Sequence, residues 1–290
     1  MTTLGVVFRP QQPPERLRDV VRAADESGLD ELWLWEDCFL EGGIATAAAA
    51  LAWSERVRVG VGVLPVPLRN VAVTAMELAT LERMFPGRGI WGVGHGVQDW
   101  MGQVGERIAS PITLLREYLD ALRALLAGQR ITVKGRYVRL DDVALDWPPS
   151  AAPPILAAAT GPRTLSVVGE AADGVILTSS TPADGIRTAA GIVRAARPEA
   201  LAAQPYPIVV YLLAATGPGA AERVAAELRG EGRDTIPDIG VAGDARAIAD
   251  TVLRWIEAGA TSVVLQPTGD EPDPVGFVRF AAEQVRPLVS

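Results

Sequence analysis

Short apolar runs alternating with helical segments almost to the C-terminus predict an α/β fold, a (β/α)8 TIM barrel with an inserted β-excursion before strand five. Three observations carry this reading. Eight strand-like runs recur along the chain, each followed by a segment of helical character. Most of these runs are apolar at successive positions, as expected of parallel strands covered by helices. The length of 290 residues holds a barrel of about 250 residues plus an insertion.

Residues 3–8 (TLGVVF) read as the first strand, and residues 14–27 as an amphipathic helix opened by Pro13-Pro14 and closed by Gly28. Strand two spans 31–36 (ELWLWE), followed by an Ala-rich helix at 43–53. Strand three (56–64) precedes a helix at 70–84, and strand four (87–94) precedes a loop at 95–110. A long helix covers 111–127, its Leu114, Leu115, Leu119, Leu122, Leu125 and Leu126 facing a core. Residues 128–153 break the rhythm and form the predicted excursion. Strands at 154–159, 174–179, 207–215 and 262–267 then alternate with helices starting at Pro162, near 182, at 218 and at 245. With no low-complexity linker to divide it, the chain reads as a single domain over 1–290.

Composition narrows the function. The net charge of −8 argues against nucleic acid, which needs a basic face. One His and one Cys cannot build a usual zinc site. The same Cys38 forms no intrachain disulfide and suits a reducing, cytoplasmic setting. No apolar run reaches the roughly 18–20 residues of a membrane span, and the first residues lack the pattern of a secretion signal. Of 27 basic residues only Lys134 is a lysine, so an anionic ligand would be held by Arg forks or backbone amides.

Barrel active sites gather at the carboxyl ends of the strands. Those ends carry Arg9, Glu36-Asp37-Cys38, Gly62-Val63-Leu64, Gly94-His95-Gly96, Thr160-Gly161-Pro162-Arg163, Thr178-Ser179 and Gln266. They contain no nucleophile triad, carboxylate metal set or P-loop. Chemistry carried by an organic cofactor is therefore expected, with the protein supplying position and electrostatics. His95, the sole histidine, sits between two glycines that let the backbone approach a planar group. Imidazole exchanges protons near neutrality, so His95 is either an acid–base group or a turn residue that bonds without titrating. On strand two, Trp33 and Trp35 share one parity and Leu32 and Leu34 the other, so only one set faces the interior. Trp100 and Met101, on the loop after strand four, are candidates to line an apolar substrate pocket. Cys38 reads as a small apolar filler at the same pocket.

GLDELWLWED, VGVGVLPVPLRNVAVTAMELATLERMFPGRGIWGVGHG, PPILAAATGPRTLSVVGEAADGVILTS and GDARAIADTVLRWIEAGATSVVL together resemble the luciferase-like monooxygenase superfamily, in its branch using the deazaflavin coenzyme F420. The resemblance implies a homo-oligomeric barrel, a dimer most simply, that moves hydride between the cofactor and a small organic substrate. It implies a non-prolyl cis peptide at Gly62–Val63 behind the cofactor ring, with Gly94 and Gly96 beside it. It also implies that Thr160, Gly161 and Arg163 hold the cofactor phosphodiester, where a helix N-terminus suits an anion. A second helix start at 241–248 is read instead as capped by Asp244. Asp37 matches an Asp-His pair of relatives, with Cys38 in place of the histidine. A carboxylate that relatives often carry just after the Gly-x-Gly is also missing, since Val97 and Gln98 follow. His95 and Asp37 thus become the candidate catalytic pair. Two other readings share the fold: an FMN-dependent monooxygenase, and a non-catalytic flavin- or deazaflavin-binding barrel.

Overall fold

The computed structural model describes residues 2–289. Eight parallel strands close a barrel in the order β1 (Thr3–Phe8), β2 (Glu31–Leu34), β3 (Arg58–Pro65), β4 (Gly89–Gly94), β7 (Ile155–Ala158), β8 (Gly174–Leu177), β9 (Ile208–Ala215) and β11 (Ser262–Pro267), with β11 pairing back onto β1. Strands β5 (Ile131–Lys134) and β6 (Arg139–Val143) form a separate antiparallel pair between strands four and five of the barrel. A short strand β10 (Gly240–Ala242) pairs in parallel with the carboxyl end of β9, at Leu213, Ala214 and Ala215. The helices α1 (Leu17–Ser27), α2 (Gly43–Ala52), α3 (Val71–Met84), α5 (Pro111–Leu126), α6 (Pro162–Ala171), α7 (Ala183–Ala196), α8 (Ala220–Gly230) and α9 (Ala245–Glu257) join the strands, and α10 (Pro274–Phe280) begins the C-terminal segment.

Two features depart from expectation. A short helix α4 (Gln98–Gln103) occupies part of the stretch 95–110 read as loop. The first helix opens with a 3-10 turn at Pro14–Arg16, so α1 proper starts at Leu17. In both cases flanking Gly and Pro masked a local helical turn.

Period-two alternation splits the core into two layers. Leu4, Val6, Leu32, Leu34, Val59 and Val61 face the helices, while Val7, Trp33, Ile90, Leu156, Ile176, Val209, Tyr211 and Val264 fill the barrel interior. Trp33 is the largest side chain of the interior. Its indole N–H donates to the Glu31 carboxylate at 2.9 Å, and Ser262 Oγ donates to the same oxygen at 2.9 Å. These bonds satisfy a buried polar group that would otherwise be costly. These residues fill the lower barrel, and toward the carboxyl ends the interior opens into a cavity.

Candidate active site

A cavity of about 320 Å³ opens at the carboxyl face of the barrel, within the size range of small-molecule sites. It is walled by Trp35, Asp37, Gly62, Val63, Gly94, His95, Gly96, Trp100, Thr160, Thr178, Ser179, Tyr211 and Gln266. The inward parity of β2 continues past its end, so Glu31, Trp33, Trp35 and Asp37 climb one side of the barrel in sequence.

The flat side of the cavity is built from glycine. The Gly62–Val63 peptide bond is cis, as the resemblance implies at this position, and the register of β3 against β4 shifts between Val61 and Leu64. A Cβ on Gly62 would lie 2.2 Å from the Tyr211 hydroxyl, and one on Gly94 would lie 2.7 Å from Val63. Side chains are thus excluded at both positions, by Tyr211 across the barrel for Gly62 and by Val63 on the neighbouring strand for Gly94. Gly96 has φ of 70°, a left-handed value favouring glycine. A second non-prolyl cis bond joins Cys38 and Phe39, which the sequence reading did not anticipate.

Asp37 projects into the cavity, and its carboxyl makes no hydrogen bond among the described residues. Burial pushes its pKa up, with the Arg9 guanidinium partly opposing the shift. The preceding Glu36 turns the other way. Its carboxylate takes both Nε (3.1 Å) and Nη2 of Arg69 and accepts from Gly43 N at 2.6 Å, tying the loop after β2 to the start of α2. His95 also lines the cavity. Its Nδ1 lies 3.1 Å from the Gly96 carbonyl, an acceptor, so Nδ1 carries the hydrogen and Nε2 remains free for a ligand.

Beside the cavity-lining Trp35, at the carboxyl end of β1, Arg9 is 7 % exposed. It donates to Glu227 Oε1 at 2.5 Å and to the Pro267 carbonyl at 3.1 Å, and its guanidinium lies 5.6 Å from the Trp35 ring centroid. Tyr211 donates to the Gly62 carbonyl at 3.3 Å and meets Trp35 edge-on. Burial pushes the Tyr211 phenol far above its usual range. The Trp35 indole N–H is turned toward Tyr211 without completing a hydrogen bond.

The start of α6 is open. Its N-cap Gly161 supplies no side-chain cap, Pro162 follows, and Arg163 is exposed. The first-turn N–H groups beside Thr160 are free to meet an anion. By contrast, Asp244 caps α9 by accepting from Ala247 N at 2.9 Å, as the sequence predicted. An uncapped helix start beside a cavity lined by Gly62, Gly94 and Gly96 fits a planar cofactor with a phosphate-bearing tail.

Two pocket residues are placed differently from expectation. Met101 is 0 % exposed and packs under Gly96, because α4 turns it inward and leaves Trp100 toward the cavity. Cys38 stands half-buried outside the cavity wall, on the turn closed by Leu40 N donating to the Asp37 carbonyl at 2.8 Å. Burial raises the Cys38 thiol pKa, and the Glu36 and Asp37 carboxylates raise it further. Tyr211 and Glu227 were missed at the sequence level. The inward parity of β9 could have marked Tyr211, but nothing in an Arg/Glu-rich helix distinguishes Glu227.

A family model for luciferase-like monooxygenase matches residues 2–252. A 5,10-methylenetetrahydromethanopterin reductase of Methanolobus tindarius is 28% identical over 182 residues, covering 63% of this chain and 56% of its own length. An F420-dependent glucose-6-phosphate dehydrogenase of Kineococcus radiotolerans is 34% identical over 189 residues, covering 60% and 55%. The chain spans little more than half the length of these two relatives. Among solved structures, an F420-dependent secondary alcohol dehydrogenase in complex with an F420-acetone adduct superposes with a TM-score of 0.85 at 20% identity, over 100% of this chain and 99% of the other. The coenzyme F420-dependent tetrahydromethanopterin reductase of Methanopyrus kandleri gives 0.82 at 18%, with coverage of 100% and 99%. At those identities the shared property is the barrel fold. With most of its length matched by the family model, the chain belongs to the luciferase-like monooxygenase family.

Proposed function

We propose that this protein is an F420-dependent oxidoreductase that transfers hydride between the deazaflavin and a small organic substrate. The observation that carries the reading is the cavity at the carboxyl face, lined on one side by Gly62, Gly94 and Gly96 and reached by Asp37, His95 and Thr160 just before the open start of α6. The names of the relatives favour a deazaflavin over FMN. Gly62, Val63, Gly94 and Gly96 would hold the planar ring, and Thr160, Gly161 and Arg163 the phosphodiester. The bound cofactor would supply two electrons as hydride, which protein side chains cannot.

The residues of the chain supply proton handling and exclusion of water. Reduction of a polarised double bond needs a proton as well as a hydride. Asp37, kept protonated to higher pH than an exposed carboxyl, and His95, with Nε2 available, are the proposed acid–base groups. Trp100 would cover the substrate side. The family description itself favours a second reading, an FMN-dependent monooxygenase.

Titration of purified protein with F420 and with FMN, followed in their visible absorbance bands, tests the choice. Micromolar F420 binding with weak FMN binding is expected, and the reverse order rejects the leading reading. Bound cofactor that no substrate panel oxidises or reduces would point to the non-catalytic barrel. We further propose one domain over 1–290, with residues 128–153 as its insertion, and a cytoplasmic homodimer. Closure between the first and last barrel strands supports the single domain. Exposed Val73, Met76 and Met84 along α3 support self-association, which sedimentation at two concentrations would test.

A further inference from the structure

We propose that the Gln266 side-chain oxygen is the substrate-recognition acceptor of the cavity, and that it selects an uncharged substrate presenting a hydroxyl group. This rests on the oxidoreductase reading above and adds the chemical class of its substrate. Gln266 ends β11, lines the cavity and is 2 % exposed. Which end of its amide faces which way is fixed by a neighbour. Glu227 Oε1 lies 3.3 Å from Nε2, and a carboxylate accepts only from the N–H end. The amide oxygen is therefore held away from Glu227, and it is buried with no hydrogen-bond partner. Buried acceptors of this kind are nearly always satisfied. A ligand donor entering the cavity would satisfy this one.

The charges around the cavity determine which donor fits. Arg9 is paired with Glu227, and Arg69 with Glu36. Arg233 is paired with Glu231 and also donates to the Ser179 and Ser180 hydroxyls at 2.9 and 3.0 Å. Asp37 lines the cavity with no ion pair among the described residues. A phosphate or carboxylate on the substrate would set its own lone pairs against the Gln266 oxygen, which can only accept, with each of these three guanidiniums already matched. Arg163, exposed at the start of α6, is the cation assigned above to the cofactor tail. A neutral O–H group donates to Gln266 without that electrostatic conflict. Sites built to bond a substrate hydroxyl discriminate strongly against groups that leave the partner unpaired.

The test uses the protein with F420 and paired substrates: 2-propanol, cyclohexanol and glucose against lactate and glucose 6-phosphate. The uncharged compounds should give kcat/KM at least tenfold higher than the anionic ones. Gln266→Met, close in shape but without the acceptor, should raise KM for the best neutral substrate about tenfold or more while the F420 Kd stays within twofold. A preference for the anionic compounds overturns the proposal. So does a protein that binds F420 but turns over no uncharged hydroxy compound. An equal loss of F420 affinity in Gln266→Met also overturns it, because Gln266 would then face the cofactor. Failure to bind F420 at all is seen in the titration before substrate is added, and it strikes the oxidoreductase reading first. Should the variant not fold, the charge preference of the unaltered protein still decides.

Discussion

The hydroxyl of Tyr211 occupies the space that a side chain on Gly62 would need, 2.2 Å from an ideal Cβ, and donates to the carbonyl of the same residue at 3.3 Å. The two residues lie on opposite sides of the barrel interior. Gly62→Ala is expected to destabilise the fold by about 1–3 kcal/mol, the range for overpacking a tight interior. Tyr211→Phe removes the nearest obstacle while leaving Trp33 at 3.1 Å, so the double variant should recover part of that loss. Urea melts of the four proteins check this, with a coupling of at least about 0.5 kcal/mol expected for residues in contact.

Asp37→Asn keeps the shape of the side chain and removes the proton it can donate. Turnover is expected to fall by about 10²–10⁴-fold, the usual contribution of a positioned acid or base, with F420 affinity largely kept. Burial raises the Asp37 pKa, so the acid form persists above the ordinary carboxylate range. Activity in the reducing direction should then decline as pH rises through that raised value, and the oxidising direction should show the opposite limb. His95→Asn with an unaltered pH profile would assign the titration to Asp37 alone.

Glu41 provides a stability prediction with a defined pH window. Burial, and then the nearby Glu15 carboxylate, push its pKa from 4.5 to about 7, and its Oε1 has no hydrogen-bond partner. For a carboxyl whose folded pKa is raised, the unfolded chain loses its proton first. Folding stability is therefore full below about 4.5 and declines as pH rises to about 7. Because the group is partly exposed, solvent screening reduces the effect to about 1–2 kcal/mol. Glu41→Gln should match the unaltered protein at about pH 4 and exceed it at about pH 8, as read by denaturant melts at the two values.

The Glu36–Arg69 pair anchors the loop that carries Asp37. Both side chains are largely buried, and Glu36 also accepts from the start of α2. Arg69→Met leaves the Glu36 carboxylate without its cation, a change that typically costs about 3–5 kcal/mol for a buried pair. Cofactor affinity should fall along with stability. The combined variant with Glu36→Gln should be less impaired than Arg69→Met alone, which thermal melts with and without F420 can read.

The barrel and its strand ends were legible because alternation of apolar strands and helices is a long-range signal that survives local errors. Parity along β2 correctly grouped Trp33 with Trp35, and the strand-end rule already pointed to Gln266. Local conformation was harder to read. In GVQDWMGQVG the glycines suggested loop, yet the stretch between them turns once as helix and sends Met101 into the core instead of the pocket. The Arg9–Glu227 and Gln266–Glu227 contacts join residues 218 and 39 positions apart. No one-dimensional pattern marks partners that meet only after the barrel has closed.

That closure has a consequence for the newly made chain. Thr3 to Val6 pair with Ser262 to Leu265, so the first strand waits for nearly the last. Until residues 262–267 leave the ribosome, β1 and β9 each present an unsatisfied row of backbone groups, the kind of edge that recruits foreign strands. Contacts of such sequence separation form slowly. Nascent chains halted before Ser262 should therefore depend on chaperones in a way that full-length chains do not, and yield in the cell would track how quickly the last strand is delivered.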